Sequence, residues 1–180
     1  MNGFTFGGRH CSEFGVTMRS KDRPILPELR HNDMEIPGRD GVLDLGHNTY
    51  AVRIIEIACF VTSENLPSFR QRLREIAKWL STKSLLSFDD EPDKTYYGRI
   101  YSAVSLEQIL ANGSFTLIFE CDPMAQGKTV VEYVGMLGDQ DERLLYNEGT
   151  APSPGIITIT NQSNATIPWM YLTLLGNEIE

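Results

Sequence analysis

The sequence is poor in the features that usually announce a function. It has only three cysteines in 180 residues, Cys11, Cys59 and Cys121. They lie far apart without a CxxC pair, and an odd count leaves one thiol over in any disulfide scheme. Reduced, buried or semi-buried thiols are therefore expected, rather than a disulfide framework. No apolar run approaches the ~20 residues of a membrane-spanning helix. The opening MNGFTFGGRHCSEFG lacks the apolar stretch of a secretory signal. The expectation is a protein made in the cytoplasm, for which the sequons at Asn112, Asn161 and Asn164 carry no meaning. Positive charge is scarce too. Sixteen Lys and Arg stand against 24 Asp and Glu, a net charge of −8, which argues against a binder that neutralises phosphates and against an anionic membrane surface.

Catalytic and ligand-binding patterns are missing as well. Gly127-Lys128-Thr129 ends like a phosphate-binding loop, but the full pattern needs glycine five residues before Gly127, where the repelling carboxylate of Asp122 stands. His10, His31 and His47 have no partners at zinc-ligand spacing. There is no GxSxG, no nucleophile–base pair and no pair of carboxylates. The run Asp89-Asp90-Glu91-Pro92-Asp93 does not have calcium-loop spacing and reads as a solvated turn between Phe88 and Tyr96. Asp139, Asp141 and Glu142 read likewise as solvated acids. The sequence thus assigns no catalytic residue, no cofactor and no metal, and the protein is read as non-enzymatic.

What is present is the composition of a soluble globular protein, 41% hydrophobic and 22% charged. At this length a folded chain buries roughly 70% of the surface its unfolded form exposes. Most of the patterning is β. Phe14, Val16 and Met18 alternate on one face. From Ala51 to Thr62, Ile55, Ile57, Cys59 and Val61 share one face and Ile54, Ala58 and Phe60 the other, which predicts a strand between two layers. Tyr96–Leu106 and Ser114–Cys121 are further strands, with a hairpin signal at Ala111-Asn112-Gly113 between them. One helix is predicted over 66–81, with Leu66, Phe69, Leu73, Ile76, Ala77 and Leu80 at helical spacing. Ser63 or Asn65 caps it, and Pro67 sits in its first turn. Arg70, Arg72, Arg74 and Lys78 cover its other side, as a solvated exterior or a docking face for an acidic neighbour. Trp79 is assigned to core packing.

Two segments differ in texture. Lys21 to Asn48 holds Pro24, Pro27, Pro37, Gly38, Gly41 and Gly46 among short apolar pieces, and reads as an extended arm or hairpin over the main body. After Pro123 the pattern changes, and Gly149 to Gly155 is a linker or wide turn. Ile156–Thr160 and Ile167–Leu175 are strand-like, too few for an independent sandwich. Trp169 and Tyr171 are the residues most open to a sugar-stacking role. Charge is also divided: residues 1–88 carry 12 basic and 10 acidic side chains, and residues 89–180 carry 4 basic and 14 acidic.

Several segments, in order, carry a resemblance. The chain opens Gly3-Phe4-Thr5-Phe6-Gly7-Gly8-Arg9-His10-Cys11-Ser12-Glu13-Phe14-Gly15-Val16. It continues with Arg23-Pro24-Ile25-Leu26-Pro27 and Ile36-Pro37-Gly38-Arg39-Asp40-Gly41. Ile76-Ala77-Lys78-Trp79-Leu80-Ser81 and Leu86-Ser87-Phe88-Asp89-Asp90-Glu91-Pro92-Asp93-Lys94-Thr95-Tyr96-Tyr97 follow. Over about residues 1–125 this wording resembles the distal tail proteins of long-tailed bacteriophages, above all phages and prophages of Gram-positive hosts.

The resemblance implies a mainly β (α+β) fold. A ring-forming β-sandwich domain with one amphipathic helix and an extended arm or hairpin would span 1–128. A linker and the start of a galectin-like β-sandwich would span 129–180, as in a shortened or truncated member. It implies a virion structural protein: a hexameric ring of identical copies at the distal end of the tail, or baseplate, joining the tail tube protein to the tail-tip hub and to receptor-binding proteins. DNA would pass through without being gripped, no membrane would be engaged, and the protein would reside in the host cytoplasm before assembly. Within the arm, Ile36, Pro37, Gly38, Arg39, Asp40 and Gly41 are assigned to the oligomer interface. Some of the acidic charge of the second half is assigned to the channel. The alternative is a carbohydrate-binding module of the tail tip, with Trp169 and Tyr171 against host cell-wall glycans.

Overall fold

The computed structural model of the chain describes residues 3–46, 49–109, 111–127, 129, 131, 149–151, 156–161 and 164–166. The chain divides into two units, Met1–Asp141 and Glu142–Glu180. In the second unit the described residues form no strand or helix, and Ile156, Ile157 and Ile159 are exposed. The strand expected at Ile156–Thr160 is thus chain without a pairing partner among the described residues. Residues 132–146 and 167–175, including Trp169 and Tyr171, lie outside them, and so does most of the expected galectin-like portion.

Among its described residues the first unit is mainly β with one α-helix, as expected. Its strands are β1 (Phe4–Phe6), β2 (Arg9–His10), β3 (Val16–Asp22), β4 (Leu29–Arg30), β5 (Asp33–Glu35), β6 (Val42–Asp44), β7 (Thr49–Tyr50) and β8 (Arg53–Thr62). After helix α1 (Leu66–Trp79) come β9 (Ser84–Phe88), β10 (Glu91–Ile100), β11 (Leu106–Ile109) and β12 (Asn112–Cys121). Eight of these make one antiparallel sheet in the order β2-β1-β9-β10-β12-β8-β3, with β11 also beside β12. Strand β1 lies three strands from β12, about 14 Å away in a flat sheet. Yet the Phe6 and Phe119 ring centroids are 5.2 Å apart, and those of Phe4 and Phe119 are 6.2 Å apart. The sheet is therefore strongly curled, so that β1 and β12 meet across the core and a single hydrogen-bonded path supplies both of its sides.

Alternation along β8 and β12 places Ile55, Ile57, Cys59, Val61, Phe115, Leu117 and Phe119 inside. All three cysteines are buried and free. Helix α1 begins at Asn65, whose side-chain oxygen accepts the Ser68 N–H at 3.0 Å, with Pro67 in the first turn. It buries Phe69, Ile76 and Trp79. Trp79 stacks on Phe14 at 4.3 Å and on Phe4 at 5.7 Å, and its indole N–H donates to the Phe6 carbonyl at 2.8 Å. Core packing of Trp79 is thereby observed.

Local expectations shift in four places. Phe14 is buried, but it ends a 3-10 turn over Cys11–Phe14 capped by His10, and the strand begins only at Val16. Leu66 and Ala77 fall on the solvent side of the helix, because Trp79 rather than Ala77 occupies the inward position. Glu91 and Pro92 belong to strand β10, whose register slips between Glu91 and Tyr96. That slip lets proline sit in a strand without breaking a ladder bond. Finally, the second apolar face of β8 has no layer over it among the described residues: Ile54 is 39% exposed, with Ala58 and Phe60 half-buried.

Candidate interaction surface

The segment between β3 and β8 is a hairpin whose outward and returning limbs are paired twice. Leu29 and Arg30 of β4 face Tyr50 and Thr49 of β7. Farther out, Asp33, Met34 and Glu35 of β5 face Asp44, Leu43 and Val42 of β6. The predicted interface residues Ile36 to Gly41 form its tip, closed by the Arg39 N–H donating to the Ile36 carbonyl at 3.1 Å. Gly38 and Gly41 have φ of +83° and +77°, which only glycine adopts without strain, so the Pro-Gly-Arg-Asp-Gly wording is a turn requirement.

Nearly every residue of this arm is exposed; between Glu28 and Gly46 only Leu29, Leu43 and Gly46 are half-buried. Alternation makes the opposite faces of its outer ribbon unlike. One carries Asp33, Glu35, Asp44 and Val42. The other carries Met34 and Leu43, continued by Ile36 and Leu45, with Met34 50% exposed. A two-stranded hairpin is marginal on its own in water. One that holds an apolar face open to solvent has the character of a contact surface.

The root of the arm, by contrast, is firmly tied. Arg53 is 8% exposed, the one buried charged side chain among the described residues. Its guanidinium donates to the carbonyls of Pro24, Ile25 (3.4 Å) and Pro123 (2.9 Å), and lies over the Tyr96 ring at 5.6 Å. One arginine thus joins the start of the arm to the segment that leaves β12. Beside it, the acidic run expected to be a solvated turn is a receptor for the end of β3. Lys21 donates to Asp90, Arg23 pairs with Glu91 at 2.5 Å, and His10 Nε2 is 3.4 Å from Asp89. Lys21 and Arg23 also lie over the Phe88 ring. The Lys21 bond holds the Asp90 carboxyl below the usual carboxylate range. The spacing of Phe-Asp-Asp-Glu-Pro therefore has a structural purpose: it anchors the arm.

Sequence reasoning placed the arm and its tip but missed both ties at the root. A signal for Arg53 was present, since position 53 shares the inward parity of Ile55 and Ile57. Burial pushes the thiols of Cys59 and Cys121 up to about 12 and raises that of Cys11, which disfavours the reactive thiolate. No group of metal-binding side chains occurs among the described residues.

Comparison with known proteins agrees with this architecture. The family model for a phage tail protein RIFT-related domain matches residues 9–121. No curated protein sequence matches the chain. Among solved structures the chain is similar to the Dit (gp 19.1) protein of SPP1, described as a paradigm of the hub adsorption apparatus in phages infecting Gram-positive hosts. The TM-score is 0.62 at 22% identity, over 71% of this chain and 53% of that one. The chain spans about half the length of that protein, and at this identity the likeness is one of fold.

Proposed function

The chain belongs to the family of phage tail proteins with a RIFT-related domain, and from that premise we propose that it is the ring-forming connector at the distal end of a tail. In this reading identical copies close into a six-membered ring that joins the tail tube to the tail-tip hub and the receptor-binding apparatus. The observation that carries it is the arm: an amphipathic hairpin, tied at its root by Arg53 and by the Lys21–Asp90 and Arg23–Glu91 ion pairs, whose Met34–Leu43 face has nothing to pack on within the described residues. A cyclic ring needs a heterologous interface, one patch on each copy meeting a different patch on the next, and a projecting arm is such a patch. The role is structural, in the virion tail, with assembly in the host cytoplasm. The acidic second half, net −10 from 14 acidic and 4 basic residues, suits a channel through which DNA slides without being gripped.

The test is deletion of residues 35–46 from the full chain. Because the body's core does not include these residues, the variant is expected to fold, with unchanged circular dichroism, and to remain monomeric. Intact rings from the deleted chain would overturn the arm as the ring's interface, and a full-length chain that forms no rings would overturn the ring reading.

A further inference from the structure

The near-neutral charge of the first half of the chain is the sum of unlike contributions. From Glu28 to Gly46 the arm carries Arg30 and Arg39 against Glu28, Asp33, Glu35, Asp40 and Asp44, a net −3. Helix α1 carries Arg70, Arg72, Arg74 and Lys78 against Glu75, a net +3. Of these cations, Arg72 is engaged at home, donating to the Thr62 carbonyl at 2.6 Å. Arg70, Arg74 and Lys78 are exposed, and among the described residues none forms an ion pair.

The same flank of α1 holds uncovered apolar surface. At 100° per residue, Leu66, Leu73 and Ala77 line up beside the row Arg70, Arg74, Lys78. Leu66 is 49% exposed, Ala77 is exposed and Leu73 is half-buried. The lengths agree as well. Leu66 to Ala77 rises about 16 Å along a helix, and Asn32 to Ile36 spans about 13 Å along a strand. Resting on the ring reading above, we propose that this flank of α1 is the acceptor for the arm of a neighbouring copy. The Met34–Leu43 face lies along Leu66, Leu73 and Ala77. The long side chains of Arg70, Arg74 and Lys78 reach past the ribbon's edges to its carboxylates, with their stems against apolar surface.

In this arrangement the cross-strand pair Asp33–Asp44, a like-charge juxtaposition that weakens a free hairpin, lies on the ribbon's outer face, where the ends of the long basic side chains reach it around the edges. The helix exterior that would otherwise be plain solvated charge becomes the second, unlike patch of the heterologous interface. Charge of opposite sign on the two patches also disfavours arm-to-arm and helix-to-helix pairing, which would give two-fold dimers instead of rings.

Charge reversal in the full chain, read by mass photometry and negative-stain images, tests this. Arg74→Glu with Lys78→Glu is expected to abolish rings and leave folded monomers. Asp33→Lys with Glu35→Lys is expected to do the same, and combining all four to restore at least half of the ring population. A photo-crosslinker at Leu43 is expected to label a peptide of residues 66–79 on another copy. Rings that survive Arg74→Glu with Lys78→Glu but vanish on Ile54→Glu, or crosslinks into the β8 outer face, overturn the helix as acceptor and leave the ring reading standing. Rings that survive deletion of 35–46, or a Leu43 crosslinker that labels no other copy within formed rings, overturn the arm as interface. A full chain that never forms rings overturns the ring reading itself.

Discussion

The indole of Trp79 lies 4.3 Å from the ring of Phe14, within 13° of parallel, and this contact joins the helix to the turn that starts β3. With Phe4 and Phe6 also against it, Trp79 is the point where helix, N-terminal strand and curled sheet meet. Trp79→Ala is expected to destabilise the fold by about 3–5 kcal/mol. Trp79→Phe keeps most of the stacking but leaves the Phe6 carbonyl without its donor, a loss of about 1–3 kcal/mol. Urea unfolding followed by circular dichroism separates the two.

Arg53 predicts a different kind of loss. Arg53→Met keeps apolar volume but strips donors from the carbonyls of Pro24, Ile25 and Pro123, costing about 1–3 kcal/mol. Hydrogen exchange is expected to quicken first at residues 24–30, before the sheet opens. Uniform quickening across β8 and β12 would mean that Arg53 serves the core and does not anchor the arm.

Acid should loosen the same root. The Asp90 carboxyl is held low by the Lys21 bond, and that of Glu13 by its bonds with Arg9 and the His10 N–H. A carboxyl lowered in the folded state adds stability that is present above its ordinary pKa and lost as pH falls through the folded value. The melting temperature is therefore expected to drop as pH falls below about 4, the ordinary carboxylate range. Asp90→Asn should flatten some of that slope, and an unchanged slope would show that the turn does not stabilise the fold by charge.

The cysteines give a probe of intactness. With Cys59 and Cys121 pushed up to about 12 by burial and Cys11 raised, a thiol reagent at pH 8 is expected to leave the folded chain unlabelled. It should react at three positions in denaturant. Labelling of native protein would place at least one thiol at the surface.

Much of this architecture was legible from periodicity. The alternation of Ile55, Ile57, Cys59 and Val61 and the spacing of Phe69 and Ile76 follow from one buried face each, so β8 and α1 could be located to within a few residues. β1 was passed over because Phe4-Thr5-Phe6 is too short to show a period, and its burial comes entirely from distant partners. The arm was legible through its prolines and glycines, its tip through the glycines that the turn demands. Its ties were not: Lys21–Asp90 and Arg23–Glu91 join residues about seventy positions apart, and only the fold brings them together. The outer face of β8 misled, since apolar residues on both sides implied a second layer that the described residues do not supply.

The most direct measurement is the mass of the full-length chain in solution, taken with negative-stain images across a concentration series and with purified tail tubes added. The account predicts closed six-copy rings, free or seated on tube ends, that disappear when residues 35–46 are removed. A two-fold dimer with free arms, or a monomer that never closes into a ring even on a tube, would contradict it.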